Sequence, residues 1–300
     1  ISVYIFERTT GLLLKRIGNH SEVVKSLSWS ADGRHLAVGL FGTGIRVYRA
    51  TDFSLLGQDR DYADRVHGLD FSRDGTLVAS SWDGSLRLYQ VSSAGLKRLL
   101  RVSTQGGKQP QGVAFSPDGK RIAVGFADSP SVNLLGARTL EFVAAPDTRA
   151  LPADQSLGHV AWSVDGRRLY AGGTALNGDG WRIVRTWPNG GAGVPRDLAA
   201  ATDTILHIRA LPDGGIVYGT SNSAWGVFDA MGVRRRFVAA ETADYRGRSD
   251  ELRVSSDGLL VGFGYESFGR QAARFSVKDR SLQHGGEGVT LRAPRFEAAS

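Results

Sequence analysis

The stretch Val113-Ala114-Phe115-Ser116-Pro117-Asp118-Gly119-Lys120-Arg121-Ile122-Ala123-Val124-Gly125-Phe126 decides the fold. Val113 and Phe115 precede Asp118-Gly119, and Ile122 and Val124 follow it. Apolar residues two apart are the period of a strand with one face buried. Asp-Gly supplies the positive φ that closes a tight hairpin, so the segment reads as two antiparallel strands.

The same unit recurs along the chain. Asp-Gly stands at 32–33, 74–75, 118–119, 165–166, 213–214 and 257–258, at intervals of 42 to 48 residues. Five residues before each Asp stand Leu27, Leu69, Val113, Val160, Ile208 and Leu252. Three before it stand Trp29, Phe71, Phe115, Trp162, Ala210 and Val254. Four after it stand Leu36, Val78, Ile122, Leu169, Val217 and Val261, and Ser precedes the Asp by two in five of the six. A second turn follows at 41–44, 82–85, 127–131 and 177–180, then a third strand at 45–48, 86–89, 181–184 and 225–228. A fourth strand reads at 53–56, 96–102 and 235–239.

Each unit is thus a four-stranded antiparallel sheet that cannot bury both faces alone. Repetition around an axis packs neighbouring sheets face to face. The predicted fold is all-β, a single β-propeller domain over 1–300 with full blades at 21–57, 65–103, 111–146, 158–200, 204–240 and 250–285. Residues 1–17 read as a half-blade, with a third strand at 3–6, a turn at 9–11 and a fourth strand at 12–17. Residues 286–300 read as a tail or a closing strand through Val289-Thr290-Leu291. Six full blades and a half-blade are expected to complete seven in a longer parent protein.

Three hundred residues can bury a sizeable core without a disulfide or metal. The chain has no Cys, which excludes a disulfide scaffold, a zinc-thiolate site and a cysteine nucleophile. No apolar run approaches the length of a membrane-spanning helix, and no leader is visible, so a cytoplasmic location is expected. The formal net charge of +7 is a modest excess for this length.

Chemistry is sparse. None of His20, His35, His67, His159, His207 and His284 has a helical zinc spacing, and His20, His67 and His159 read as partners of backbone turns. The Gly-rich stretches 39–44 and 262–269 lack the Lys-Ser/Thr of a phosphate loop, and Asn177 to Gly180 lacks the distal Glu of a calcium loop. No strand–turn–helix setting of the Gly-x-Ser-x-Gly kind appears. No catalytic, cofactor or metal residue is therefore assigned. Lys120-Arg121, Arg167-Arg168 and Arg34 stand beside acids, and Arg234-Arg235-Arg236 reads as a solvated edge, so nucleic acid is not the expected partner.

Antiparallel alternation brings the inter-unit connections and the second turns to one face. The connections 57–66, 101–111, 145–159 and 239–251 carry a net formal charge of −2 against +7 for the whole chain. Variable loops on a rigid scaffold are where recognition sits. The predicted partner face is Phe41, Asp59, Asp61, Tyr62, Asp64, Trp82, Asp83, Asp244, Tyr245, Tyr265 and Phe268. Acidic residues around exposed aromatics suit a basic peptide or protein segment.

"VAFSPDGKRIAVGF" (113–126) and "SSWDGSLRLYQ" (80–90) resemble WD40-repeat blades, and the resemblance extends over almost the whole chain. The Trp-Asp of that family is replaced by Tyr48-Arg49, Tyr89-Gln90 and Trp187-Pro188, with Phe228-Asp229 nearest to it. Gly-His appears only at Gly158-His159, with Gly18-Asn19-His20 as a variant, and Trp82-Asp83 falls in a second turn. Blades held chiefly by apolar packing are therefore expected. "IAVGFADSPSVNLL" (122–135), "VAWSVDGRRLYAGG" (160–173) and "PDGGIVYGTSNSAWGVFDA" (212–230) resemble bacterial propellers attached to caspase-like peptidase domains. The resemblance implies a non-catalytic interaction or sensing scaffold, the regulatory region of a larger bacterial protein whose effector lies elsewhere. The alternatives are a nucleic-acid-binding propeller and a quinoprotein-type dehydrogenase propeller.

Overall fold

The computed structural model describes residues 1–18, 20–238, 253–254, 259–263, 273–276, 278 and 281–284. The chain divides into two compact units, Ile1–Phe237 and Val238–Ser300. The fold is all-β, as the repeat predicts, with six four-stranded antiparallel sheets and, among the described residues, one three-residue 3-10 turn at Asn189–Gly191.

The first unit opens with β1 (Val3–Phe6) and β2 (Leu13–Ile17), paired antiparallel with Val3 opposite Ile17. Sheet 1 follows as β3 (Val24–Trp29), β4 (His35–Leu40), β5 (Ile45–Arg49) and β6 (Leu55–Asp59). Sheet 2 is β7 (Val66–Phe71), β8 (Thr76–Ser81), β9 (Ser85–Ser92) and β10 (Gly95–Ser103). Sheet 3 is β11 (Pro110–Phe115), β12 (Arg121–Phe126), β13 (Val132–Gly136) and β14 (Phe142–Ala144). Sheet 4 is β15 (His159–Trp162), β16 (Leu169–Leu176), β17 (Arg182–Trp187) and β18 (Arg196–Ala201). Sheet 5 is β19 (Ile205–Ala210), β20 (Ile216–Thr220), β21 (Trp225–Phe228) and β22 (Arg234–Val238). In each, spatial order follows chain order. The second unit holds sheet 6: β23 (Arg253–Val254), β24 (Leu260–Phe263), β25 (Ala273–Ser276) and β26 (Ser281–His284). Asp257-Gly258, residues 264–269 and the closing strand expected at 289–291 lie outside the described residues.

The hairpins are wider than a two-residue Asp-Gly turn. Leu36 pairs with Trp29, and Ser30 N–H donates to the His35 carbonyl at 2.9 Å, so Ala31 to Arg34 form a four-residue connection. The repeated Ser closes it. Ser30 Oγ donates to Asp32 Oδ1 at 2.6 Å and accepts the His35 N–H at 2.9 Å, while Asp32 Oδ1 accepts the Arg34 N–H at 3.0 Å. Ser116–Asp118 and Ser163–Asp165 repeat this set, and Ser72–Asp74 closes a connection one residue shorter. Gly33, Gly75, Gly119, Gly166 and Gly214 all sit at positive φ, between 69° and 85°, where a Cβ would be strained.

The core of the first unit lies between sheets. Ala37, Ile45 and Val47 of sheet 1 pack on Leu69, Phe71, Leu77 and Ala79 of sheet 2. Val78, Leu86 and Leu88 of sheet 2 pack on Val113, Phe115, Ile122 and Val124 of sheet 3. The pattern continues from Ala123 and Leu134 to Trp162, Leu169 and Ile183, and from Tyr170 and Val184 to Ile208 and Ile216. Alternate residues along β4, β8, β12 and β16 therefore serve opposite neighbours. The first strands β3, β7, β11, β15 and β19 lie side by side in sequence order. Their approach is close: Gly112 N–H donates to the Gly158 carbonyl at 2.7 Å, and a Cβ on Gly68 would run into the Gln111 carbonyl oxygen.

Equivalent repeat positions do not share one environment. Trp162 is 6% exposed and its Nε1 donates to the Ala114 carbonyl at 3.1 Å. Trp29, at the same repeat position, is 47% exposed, and Leu27 is exposed beside it. The cause is the neighbour each one faces. Among the described residues the sheet before sheet 1 consists of β1 and β2, and it covers Leu36, Val38 and Leu40 and reaches Val24 at the start of the first strand, but leaves Leu27 and Trp29 in water. Trp162→Ala should therefore cost about 3–5 kcal/mol in urea unfolding, whereas Trp29→Ala should change stability by no more than about 0.5 kcal/mol. Equal losses would contradict this difference in packing.

Candidate interaction face

One end of the sheets gathers the second turns and the inter-sheet connections through a repeated backbone tie. Phe41 N–H donates to the Val23 carbonyl, Trp82 to Arg65, Ala127 to Gln109 and Ser221 to Thr204, all between 2.9 and 3.1 Å. Each tie clamps the start of a second turn to the residue just before or at the start of a first strand. Phe41 and Trp82 are thereby held at the same end of neighbouring sheets, on either side of Arg65.

The result is a stack of alternating rings and cations. The Arg65 guanidinium lies 4.3 Å from the Phe41 ring centroid and 4.6 Å from that of Trp82. Lys25 Nζ lies 5.7 Å from Phe41 on that ring, and Trp82 stacks on His67 at 4.5 Å. Burial, reinforced by Lys25 and Arg65, lowers the His67 pKa to about 4, so its imidazole is neutral at pH 7. Arg65 Nε bonds Asp64 Oδ1 at 3.1 Å, and its terminal nitrogens have no acceptor among the described residues. Phe41 is 39% exposed and the Arg65 side chain 29%, so the stack meets solvent. The sequence singled out Phe41 and Trp82 but not Arg65 or Lys25, and His67, expected to bond a backbone turn, stacks on Trp82 instead. A single Arg among alternating charges carries no mark until a fold seats it between two rings.

The acidic residues expected to make this face negative are engaged from within. Asp61 pairs with Arg98 at 2.6 Å and Arg101 at 3.6 Å. Asp59 accepts from Tyr89 Oη at 2.9 Å and Arg98 at 3.3 Å, and Asp64 pairs with Arg65. Tyr62 is not an exposed anchor. It is 7% exposed, its hydroxyl shares a 2.7 Å hydrogen bond with Tyr89, and the Arg87 guanidinium lies 3.6 Å from its ring centroid. Asp244, Tyr245, Tyr265 and Phe268 lie outside the described residues.

Asp83 adds a buried polar tie to blades held chiefly by apolar packing. Arg87 Nη2 meets Asp83 Oδ2 at 2.8 Å with both side chains out of water, and Ser85 Oγ donates to Asp83 Oδ1 at 2.6 Å. Burial pushes the Asp83 carboxyl up, but the hydrogen bonds from Arg87 and Ser85 outweigh it and hold the pKa below its ordinary value. The second turn of sheet 2 is thus tied to its third strand by a buried ion pair. Sheet 4 has a parallel in Arg185, whose Nε and Nη2 each reach Asp197 at 2.7 Å.

The first strands of sheets 1 to 5 line a polar cavity of about 430 Å³, with His67, His159, His207, Asp70 and Arg209 on its wall. Gln111 and His159 approach to 2.6 Å through their side-chain nitrogens, and Asp70 Oδ2 accepts the Phe115 N–H from the next sheet at 2.8 Å. Among the described residues no three His, Asp or Glu are placed to hold a metal ion. His20 is buried against Arg46 and Tyr48. The basic run is engaged too: Arg234 lies over Trp181, Arg236 over Trp225, and Arg235 pairs with Asp229.

Two measurements check these assignments. Arg87→Ala leaves the buried Asp83 carboxylate with Arg101, 3.9 Å away, as its remaining cation and should cost about 3–5 kcal/mol. The depressed Asp83 carboxyl contributes stability above the unfolded carboxylate value, and that contribution is lost as pH falls through the folded value. Arg87→Ala should therefore also move acid unfolding to higher pH. His159 has the opposite charge type. Burial, then the charges of His207 and His67, lower its pKa from 6.5 to about 3. Between those values the unfolded chain binds more protons, so stability falls as pH drops. In His159→Gln the difference in melting temperature between about pH 7 and about pH 5 should shrink; an unchanged difference would place His159 in water.

Comparison with known proteins agrees with this architecture. Residues 11–49 and 55–90 match the family described as WD domain, G-beta repeat. A 66-residue stretch is 33% identical to the ciliary WD repeat-containing protein ctxp80 of Euplotoides octocarinatus, covering 22% of this chain and 9% of that protein. A chain in a crystal structure of the mitotic checkpoint complex superposes with a TM-score of 0.66 over 88% of this chain and 80% of its own, at 19% identity. At that identity the likeness speaks for the fold alone. Residues 11–49 and 55–90 carry WD40 repeats, and the six four-stranded antiparallel sheets are consistent with WD40 propeller blades.

Proposed function

We propose that this chain is a non-catalytic interaction module that captures an acidic segment of a partner protein on the Arg65 stack. WD40 propellers are generally protein- or peptide-binding scaffolds, which supports the class of partner. The observation that carries the finer reading is the contrast in charge pairing. Asp59, Asp61, Asp64 and Asp83 are each held by an arginine of the same chain, while the terminal nitrogens of Arg65 point to no acceptor among the described residues. Seating between Phe41 and Trp82 fixes the guanidinium before any ligand arrives, so little rotamer freedom is lost on binding. Lys25 adds a second cation over the Phe41 ring. A carboxylate on an extended peptide completes this arrangement, and a basic peptide meets like charge. The likeness of residues 122–135, 160–173 and 212–230 to bacterial propellers beside caspase-like peptidase domains supports a regulatory place in a longer protein, with the effector on another segment.

Three fluorescein-labelled twelve-residue peptides, rich in Asp/Glu, rich in Lys/Arg, or neutral, test the reading by fluorescence anisotropy. The acidic peptide should bind tightest and weaken with added salt. Arg65→Ala should weaken it about tenfold, the loss of one charge-assisted contact, while Lys15→Ala on the exposed face of β2 should not. Tighter binding of the basic peptide, or an unaffected Arg65→Ala, would refute the proposal.

A further inference from the structure

Between sheets 4 and 5, at the end opposite the Arg65 stack, lies a groove of about 250 Å³. Tyr170, Leu198, Ile216 and Phe228 line it and are buried. Its two lips are the turns between third and fourth strands. Each lip holds an aliphatic side chain in water: Val194 is 86% exposed and Met231 71%. Single exposed apolar residues are ordinary, but two flanking an apolar groove mark a place where a further apolar group would be taken from water.

The Met231 lip is fixed rather than loose. Asp229 Oδ1 accepts the N–H of Met231 and of Val233, each at 2.9 Å, and Gly232 makes the turn at φ 77°. Arg196 Nη1 donates to the Met231 carbonyl at 3.0 Å, and Arg168 Nη1 donates to the Ala230 carbonyl. A turn bonded in this way pays little entropy to receive a ligand.

The rim is cationic. Arg168 and Arg196 spend one terminal nitrogen each on these carbonyls. The nearby carboxylates are already engaged, Asp229 by Arg235 at 2.6 Å and Asp197 by Arg185 at 2.7 Å. An apolar floor inside an arginine rim complements an aliphatic side chain between acidic neighbours. We propose that this groove docks a peptide segment of a partner protein that presents one aliphatic residue flanked by Asp or Glu, at a site separate from the Arg65 stack.

Met231 is the only methionine in the sequence, so its labelled methyl group gives a single NMR reporter inside the groove. The experiment uses the full chain carrying Arg65→Ala, so that the outcome does not depend on the other face. The probe is an eight-residue Asp/Glu peptide with one central Leu, added to about 1 mM, the range of a weak single-anchor contact. The Met231 methyl resonance should move saturably. The same peptide with Ser for Leu, or with Lys for the acidic flanks, should bind at least tenfold more weakly. Val194→Asp should weaken the Leu peptide at least tenfold with an unchanged melting temperature. A stationary resonance, an equal response to the Ser or Lys peptide, or an unaffected Val194→Asp would overturn the proposal.

Discussion

Each second strand in the first unit is apolar on both faces, and a single four-stranded sheet covers neither. On β4, Leu36, Val38 and Leu40 pack toward β1 and β2, while Ala37 packs toward sheet 2. On β12, Ile122 and Val124 face sheet 2 and Ala123 faces sheet 4. Full burial of one such aliphatic side chain stabilises by roughly 1.5–3 kcal/mol, and almost all of that gain arises between sheets. The cooperative element is therefore the interface between neighbouring sheets, and sheets 1 to 4 are each half of two such interfaces. Close passage of the first strands at Gly68 and Gly112 follows from the same need, because a side chain there would hold neighbouring sheets apart.

This packing frees the loops from structural duty but does not leave them loose. At one end the Ser-x-Asp sets close the hairpins with the same hydrogen bonds from sheet to sheet. At the other end the ties from Phe41, Trp82, Ala127 and Ser221 fasten second turns to the preceding connections. Side chains on these loops are thus presented from a rigid frame, which is what lets Arg65 sit between two rings and Met231 stand out in water.

Charge is distributed less simply than a count suggests. The connection from sheet 1 to sheet 2 is acidic by formula, yet Asp59 and Asp61 in it are turned toward Arg98 and Arg101 of sheet 2, because β10 carries those arginines past it. Asp83 of the next second turn likewise meets Arg87 and Arg101. Among the described residues, Arg65 at one end and Arg168 and Arg196 at the other keep terminal nitrogens without a carboxylate. Pairing inside the chain, not composition, sets the sign of each surface.

The sheets, their strand order and most inter-sheet residues were legible in the chain itself, because strand periodicity and the Asp-Gly turn are local and repeat within a single chain. Val113, Phe115, Ile122 and Val124 declare a buried face without reference to anything distant. The turn chemistry was half legible: the Ser two before Asp recurs, but its double role as donor and acceptor appears only once the hairpin is closed. Trp29 and Tyr62 were misjudged in opposite directions. Trp29 fills a core position but faces a two-stranded neighbour, and Tyr62 sits in a loop but is drawn under Arg87 beside Tyr89. Local pattern determines which strand a residue joins and which face of it the side chain takes. Exposure, pKa and the net sign of a surface were decided only by the tertiary structure, since they also depend on partners far away along the chain, such as Asp61 for Arg87 and Ala230 for Arg168.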